Sequence, residues 1–423
     1  MSRPSARLGR LAPVTGALAA GALLLTACGG GSGFDDATAD ATGGSDGTGG
    51  AAGGSLDILI GSSGDAETAA VKEAVAAWSA ESGVSAEVRV AADLAQELAQ
   101  GFAASTPPDL FYVSTDQFAG YAANGSITPY LDQLANKDDF YPTLVDSFTY
   151  DGTPYCAPKD FSTLALVINT DMWAAAGLTD ADIPTTWDQL ASVATMLAPQ
   201  AQAGLSFGPE WQRVGVFMAQ AGGALVEDGA AVVDSDANVQ ALTYVKDLLS
   251  SGSVAFPADI GAGWGGEAFG SGAAAMTIEG NWIVGAMTND FPDVPYTVVE
   301  LPEGPAGTGT LQFTNCWGVA SDSANQDAAV QLVEYLTSDE QQMAFAKAFG
   351  VMPSVSTVAQ EWQAEFPEQA AFLAGADYAQ GVPAIEGVSD VIADFNSQIE
   401  TLKTGDPATI LTSVQGNLTA ILP

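Results

Sequence analysis

Apolar positions switch period repeatedly along the first part of the globular chain. Leu56-Asp57-Ile58-Leu59-Ile60 is a short β-type run, followed by the loop Gly61-Ser62-Ser63-Gly64. Val71, Val75 and Trp78 then recur at helical spacing, with Gly83 as a stop. Val84 to Val90 alternates as a strand. Asp93 to Ala104 reads as a helix, Pro107-Pro108 ends it, and Asp109 to Val113 is a strand again. Strand, helix, strand, helix, strand predicts an α/β layer with a largely parallel sheet.

Farther along, Leu164 to Asn169 reads as a strand, followed by a helix from Asp171 to near Gly177. Thr185 and Thr186 are candidate caps for a helix through Trp187 and Leu190. Asp228-Gly229 between two short apolar runs is a hairpin signal. Leu242, Val245 and Leu249 mark a helix, Ala274 to Ile278 a strand, and a helix begins near Asn281. Phe313 to Ala320 is a strand, Ala328 to Leu336 a helix, and the tail after Gly350 is helical with proline breaks.

The N-terminus follows other rules. Arg3, Arg7 and Arg10 precede a short apolar run from Leu11 to Leu25, and Leu25-Thr26-Ala27-Cys28 closes it. This is the pattern of a secretory signal, too short to span a bilayer. The ending looks like a lipobox, which predicts cleavage before Cys28 and lipid on that cysteine. The alternative is an ordinary signal cut at a nearby alanine. Residues 29–55 are mostly Gly, Ser, Thr, Ala and Asp, too polar to order themselves. Their reach as a flexible tether is on the order of 30 Å. The rest exceeds what one hydrophobic core usually accommodates, so two domains are expected.

Charge and chemistry narrow the function. Three of the 11 basic residues lie in the leader, and 51 acidic residues oppose those that remain. Phosphate binding needs basic patches, so nucleic acid is excluded as a partner. An anionic membrane surface would repel such a domain. There is no histidine, which removes His-based triads and His metal sites. Beyond Cys28 only Cys156 and Cys316 remain; in an oxidising setting they pair, or else they are two buried thiols. No nucleophile motif, phosphate loop or metal cluster stands out. Paired carboxylates could serve a glycosidase, but acids this abundant make no pair informative.

Several segments in order resemble the extracellular solute-binding proteins of ABC importers, of the type that binds maltose and oligosaccharides. Pro108-Asp109-Leu110-Phe111 leads to Asp116, Tyr121 and Gly125. Gly152-Thr153-Pro154-Tyr155 leads through Pro158-Lys159-Asp160 to Asn169-Thr170-Asp171 and Ala176-Gly177-Leu178. Pro184 to Leu190, Ala275 to Trp282, Gly318-Val319-Ala320, Ser338 to Gln342 and Gly350 to Ser354 complete the set.

The resemblance implies an α/β, two-lobed periplasmic-binding-protein-like fold of type II, with hinge segments crossing near Tyr155–Lys159, Cys316–Val319 and Met352–Pro353. It implies a signal peptide at 1–27, lipidated Cys28 and linker at 28–55, one lobe of 56–158 plus 318–352, and another of 159–317 plus 353–423. A sugar binds in the cleft, the lobes close over it by hinge motion, and a membrane permease with its ATPase takes it up. No catalysis and no cofactor are implied. The protein is expected to be a monomer, lipid-anchored on the extracellular face. Alternatives within the fold are a polyol, glycerol-phosphate, peptide or amino-sugar ligand.

Sugar sites combine carboxylates and amides for hydroxyls with aromatic rings for flat C–H faces. Matching the family's pattern, Asp116, Asp160 and Trp282 are the candidates, with Gln117 where relatives often have Arg. Other readings are a helix cap for Asp116, a Lys159 surface pair for Asp160 and core packing for Trp282. Glu279 sits at the same mouth. Trp264 in a Gly-rich loop is a further aromatic candidate. Glu210, Trp211 and Arg213 cover a stretch whose register is left open. Ser62, Ser63 and Asp65 follow the first strand, where open α/β sheets bind ligands, or cap the helix there. Cys156 and Cys316 fall on the crossing strands, as a disulfide between them would require.

Overall fold

The computed structural model describes residues 55–422. The leader, Cys28 and most of the tether lie outside the described residues. The first strands and helices form as their periodicity predicts. Leu56–Ile60, Ala86–Val90 and Leu110–Ser114 are strands, with helices Asp65–Ser82 and Leu94–Ala103 between them. The first helix buries Glu67, Val71, Ala74, Val75 and Trp78 on one stripe and ends at Gly83 in the left-handed conformation. Asp93 caps the second by accepting from the Gln96 N–H.

One sheet runs through the molecule. Its path is Val254–Ala255, Leu205–Ser206, Met276–Gly280, Pro158–Asn169, Thr310–Val319, Leu110–Ser114, Leu56–Ile60 and Ala86–Val90. Leu56–Ile60 pairs in parallel with both neighbours, as expected for βαβ units. At the centre the order changes sense. Thr310–Val319 is antiparallel to both Leu110–Ser114 and Pro158–Asn169.

Pro158–Asn169 is the pivot. Periodicity predicts only its apolar end, Leu164 to Asn169; the polar stretch before it is strand as well. Its early residues pair with Thr310–Val319 and its later ones with Met276–Gly280. Phe161, Ala165 and Val167 join one hydrophobic core, and Leu164, Leu166 and Ile168 join a second. Thr310–Val319 divides likewise, with Leu311 in the second core and Cys316, Trp317 and Val319 in the first.

The tail contributes to both cores. Val355, Val358, Trp362, Phe372 and Ala376 pack into the first core, and Val382, Ile385 and the residues from Val388 onward pack into or against the second. The indole N–H of Trp362 donates to the carbonyl of Val351 at 3.1 Å, folding the chain back before it crosses. Cys156 and Cys316 have Cα atoms 5.7 Å apart, a separation that a disulfide spans.

Candidate ligand-binding cleft

A cavity of about 420 Å³ opens where the two cores meet. Gly61, Ser63, Ser114 and Thr115 border it, at the carboxyl ends of two parallel strands. Asn281 and Trp282 face them from the end of Met276–Gly280, and the two central strands supply Lys159 to Ser162 and Phe313 to Asn315. Loop–helix junctions at strand ends are where an open α/β sheet leaves room for a ligand. One bond spans the cavity's rim. Gly350 closes its helix with a φ of +78°, and its carbonyl accepts from Asn281 Nδ2 at 2.8 Å.

The wall on the first-core side is a buried ion cluster. Lys159 Nζ lies 2.9 Å from Glu67 Oε1, bonds the Asp160 carboxylate as well, and stands 4.5 Å from the Tyr112 ring centroid. Glu67 also accepts from Tyr112 Oη at 3.0 Å and from Ser63 N and Oγ at 2.7 Å each. Burial pushes the Glu67 carboxyl up, but the Lys159 charge and the two Ser63 donors outweigh it and hold it below its usual range. For Asp160 burial wins over Lys159, with Glu67 adding repulsion, and its carboxyl lies above its usual range. Burial lowers Lys159, yet its two carboxylates more than reverse that, so it remains a fixed cation.

The opposite wall is aromatic. Trp282 is 38% exposed, a large apolar side chain left open to solvent. Its ring meets Phe313 edge-on at 5.3 Å between centroids. A Cβ on Gly280 would lie 2.2 Å from the indole, so glycine there makes room for the ring. Behind the pair, Arg213 stands 5.2 Å from the Trp282 ring and 5.9 Å from Phe313. Its Nη2 donates to Glu279 Oε2 at 2.7 Å, and the Trp282 indole N–H donates to the same oxygen at 3.0 Å. Glu279 is buried, and burial raises its carboxyl despite Arg213 and the indole. Glu210 lies 3.7 Å from Arg213 on the other side. Arg213 Nε is buried without a partner.

Of the residues singled out from sequence, Ser63, Asp160 and Trp282 line the cavity. Glu279, Arg213 and Glu210 form the layer behind Trp282. Asp65 is exposed at the first turn of the helix after Ser63. Asp116 is exposed and Gln117 half-buried in the helix that Thr115 begins. Trp264 is half-buried, with its ring folded over Gly266, and does not line the cavity. Trp211 is buried and borders a different cavity, of about 390 Å³, with Thr143, Leu225 and Gln380. Sequence reasoning missed Glu67, Tyr112, Phe313 and Asn315. For Glu67 the signal is present, because it shares a helical stripe with Val71, Val75 and Trp78.

The profile of a family described as bacterial extracellular solute-binding protein matches residues 73–374. The chain belongs to that family. Membership implies a location outside the cytoplasm. Among the solute-binding relatives, the diacetylchitobiose-binding protein DasA of Streptomyces coelicolor is 25% identical over 270 residues, 61% of this chain and 63% of its own. The fold matches the GacH receptor of Streptomyces glaucescens, solved with acarbose, with a TM-score of 0.76 at 22% identity. That match covers 87% of this chain and 98% of the receptor. The cyclic α-maltosyl-1,6-maltose binding protein of Arthrobacter globiformis matches with a TM-score of 0.78 at 21% identity, over 87% and 99% of the two chains. The fold is thus the two-lobed one of maltose-binding proteins.

Proposed function

We propose that this solute-binding protein is the sugar receptor of an ABC importer, taking an oligosaccharide into the interlobe cleft and handing it to a membrane permease. The observation that carries this reading is the solvent-exposed Trp282 on Phe313, facing hydroxyls, amides and a carboxylate across the cleft. A ring face for C–H groups opposite polar groups for hydroxyls is what a sugar requires. The named relatives bind diacetylchitobiose, acarbose and a cyclic maltosyl-maltose, which supports a carbohydrate of more than one ring. The protein does no chemistry on that ligand. Its buried carboxylates are held by Lys159 and Arg213, a poor arrangement for the acid and base of glycoside cleavage.

A sugar panel tests this by thermal shift. A ligand present at a hundred times its Kd stabilises by about 2.7 kcal/mol. One or more oligosaccharides should raise the melting temperature and be recovered intact. A shift with peptides or polyols and none with sugars rejects the ligand class; steady release of cleaved product rejects the binding role.

Lipid on Cys28, a tether of residues 29–55 and a monomeric receptor complete the proposal. So does a Cys156–Cys316 disulfide, which would tie the bend just before Pro158–Asn169, where Cys156 sits instead of on the expected strand, to the strand Thr310–Val319. Reducing it, or replacing both cysteines by serine, should cost about 2–4 kcal/mol in urea unfolding. Mass spectrometry of the alkylated, unreduced protein should find neither cysteine labelled. Two labelled thiols would remove the bond from the proposal.

A further inference from the structure

We infer that the cleft selects sugars bearing a protonated amine over their neutral and acidic counterparts. This rests on the sugar-binding reading above and adds to it the charge of the ligand. The geometry behind it is a matter of which charges are already used. Lys159 is the one cation lining the cavity among the described residues, and Glu67 and Asp160 both hold it. Arg213 is held between Glu279 at 2.7 Å and Glu210 at 3.7 Å. Four carboxylates thus face two cations, and neither cation has charge to spare for a uronate or a phosphate. Asp65 and Asp116, exposed on the helices that start beside the cavity, add to the same sign at its mouth.

One oxygen is left to use the surplus. Lys159 bonds Asp160 Oδ2, whereas Asp160 Oδ1 receives no hydrogen bond among the described residues, and Asp160 lines the cavity. An ammonium donating to that oxygen would gain a charge-assisted bond. A hydroxyl at the same place gains a weaker one, and a carboxylate is repelled. The field of the whole molecule, with a formal net charge of −40, steers in the same direction.

Titration calorimetry on the mature protein tests this with matched disaccharides in two linkages, α-1,4 and β-1,4 glucose pairs. Each is used with its hydroxyls intact, with a free amine in place of one hydroxyl, and with one carboxylate. In whichever linkage binds, the amine form should bind about tenfold tighter than the hydroxyl form, and the carboxylate form about tenfold weaker. The amine's advantage should shrink between about 20 mM and about 500 mM salt. Asp160→Asn and, on the half-exposed outer acid, Glu210→Gln should each cut the amine-over-hydroxyl ratio about threefold or more while changing the hydroxyl form less. Hydroxyl forms binding as tightly as amine forms, or carboxylate forms binding best, would overturn the inference and leave the sugar reading standing. Should no glucose disaccharide bind, the same three forms are made on the oligosaccharide that shifts in the thermal panel; a panel in which no oligosaccharide shifts would overturn the sugar reading itself, and the inference with it.

Discussion

Lys159→Met should destabilise the protein by about 3–5 kcal/mol near neutral pH, the usual result of stripping the cation from a buried ion pair. Methionine keeps most of the apolar stem of lysine without the ammonium, so the loss is mainly that of the charge. Glu67 and Asp160 would then face each other in a buried wall with only Ser63 and Tyr112 as donors. The pH dependence gives the sign. In the parent, the Glu67 carboxyl is held below its unfolded value, so its contribution is present above that value and lost as pH falls through the folded one. Without Lys159, burial lifts the Glu67 carboxyl above its unfolded value and lifts the Asp160 carboxyl, already raised in the parent, further. Stability of the variant is then lost as pH rises through them. The gap between the two proteins should therefore narrow from about pH 8 to about pH 5 in denaturant unfolding. A pH-independent gap, or one under about 1 kcal/mol, would show that the cluster is solvated and carries little of the fold.

Trp282→Ala should abolish most sugar affinity and leave the fold intact. A central aromatic contact is commonly worth about 2–4 kcal/mol, roughly thirtyfold to a thousandfold in Kd. The folded state has less to lose, because Trp282 is open to solvent and its contacts are an edge-on ring, one bond to Glu279 and the Arg213 guanidinium beside it. Denaturant midpoints should move by no more than about 1 kcal/mol. Trp282→Phe should recover part of the affinity, since it restores a ring face but not the indole N–H. Unchanged affinity in the alanine variant would assign Trp282 to packing and move the sugar elsewhere in the cleft.

What the sequence showed and what it hid have physical reasons. The first strands and helices were legible because one face of each is buried, which prints a period on the chain. Pro158–Asn169 was half legible. Its apolar end reads as strand, while Lys159 and Asp160 look like a surface pair, and only the fold shows that they close a buried wall. Trp282 could be singled out from a family-like segment, and Gly280 beside it turns out to be the space its ring needs. Trp211 shows the opposite case. It stands one residue from Glu210, yet the helix it begins turns it toward a different cavity. The tail of short helices after Gly350 carries no signal for which core each piece joins, and contacts such as Trp362 with Val351 appear only in the fold.

The pairing of Leu110–Ser114 with Thr310–Val319 has a consequence for how the chain comes to be folded at all. Its partners are about 200 residues apart, and Val355 to Ala376 must also arrive before the first core is complete. At about 5–20 residues per second, a ribosome needs on the order of 10–40 s to supply that missing strand. During this interval Leu110–Ser114 has one free edge, and non-local pairing of this kind is intrinsically slow. The early half of the chain cannot lock into its native form while the late half is still being made. A secretion machinery that accepts only unfolded chains would find this protein pliable for as long as its synthesis lasts.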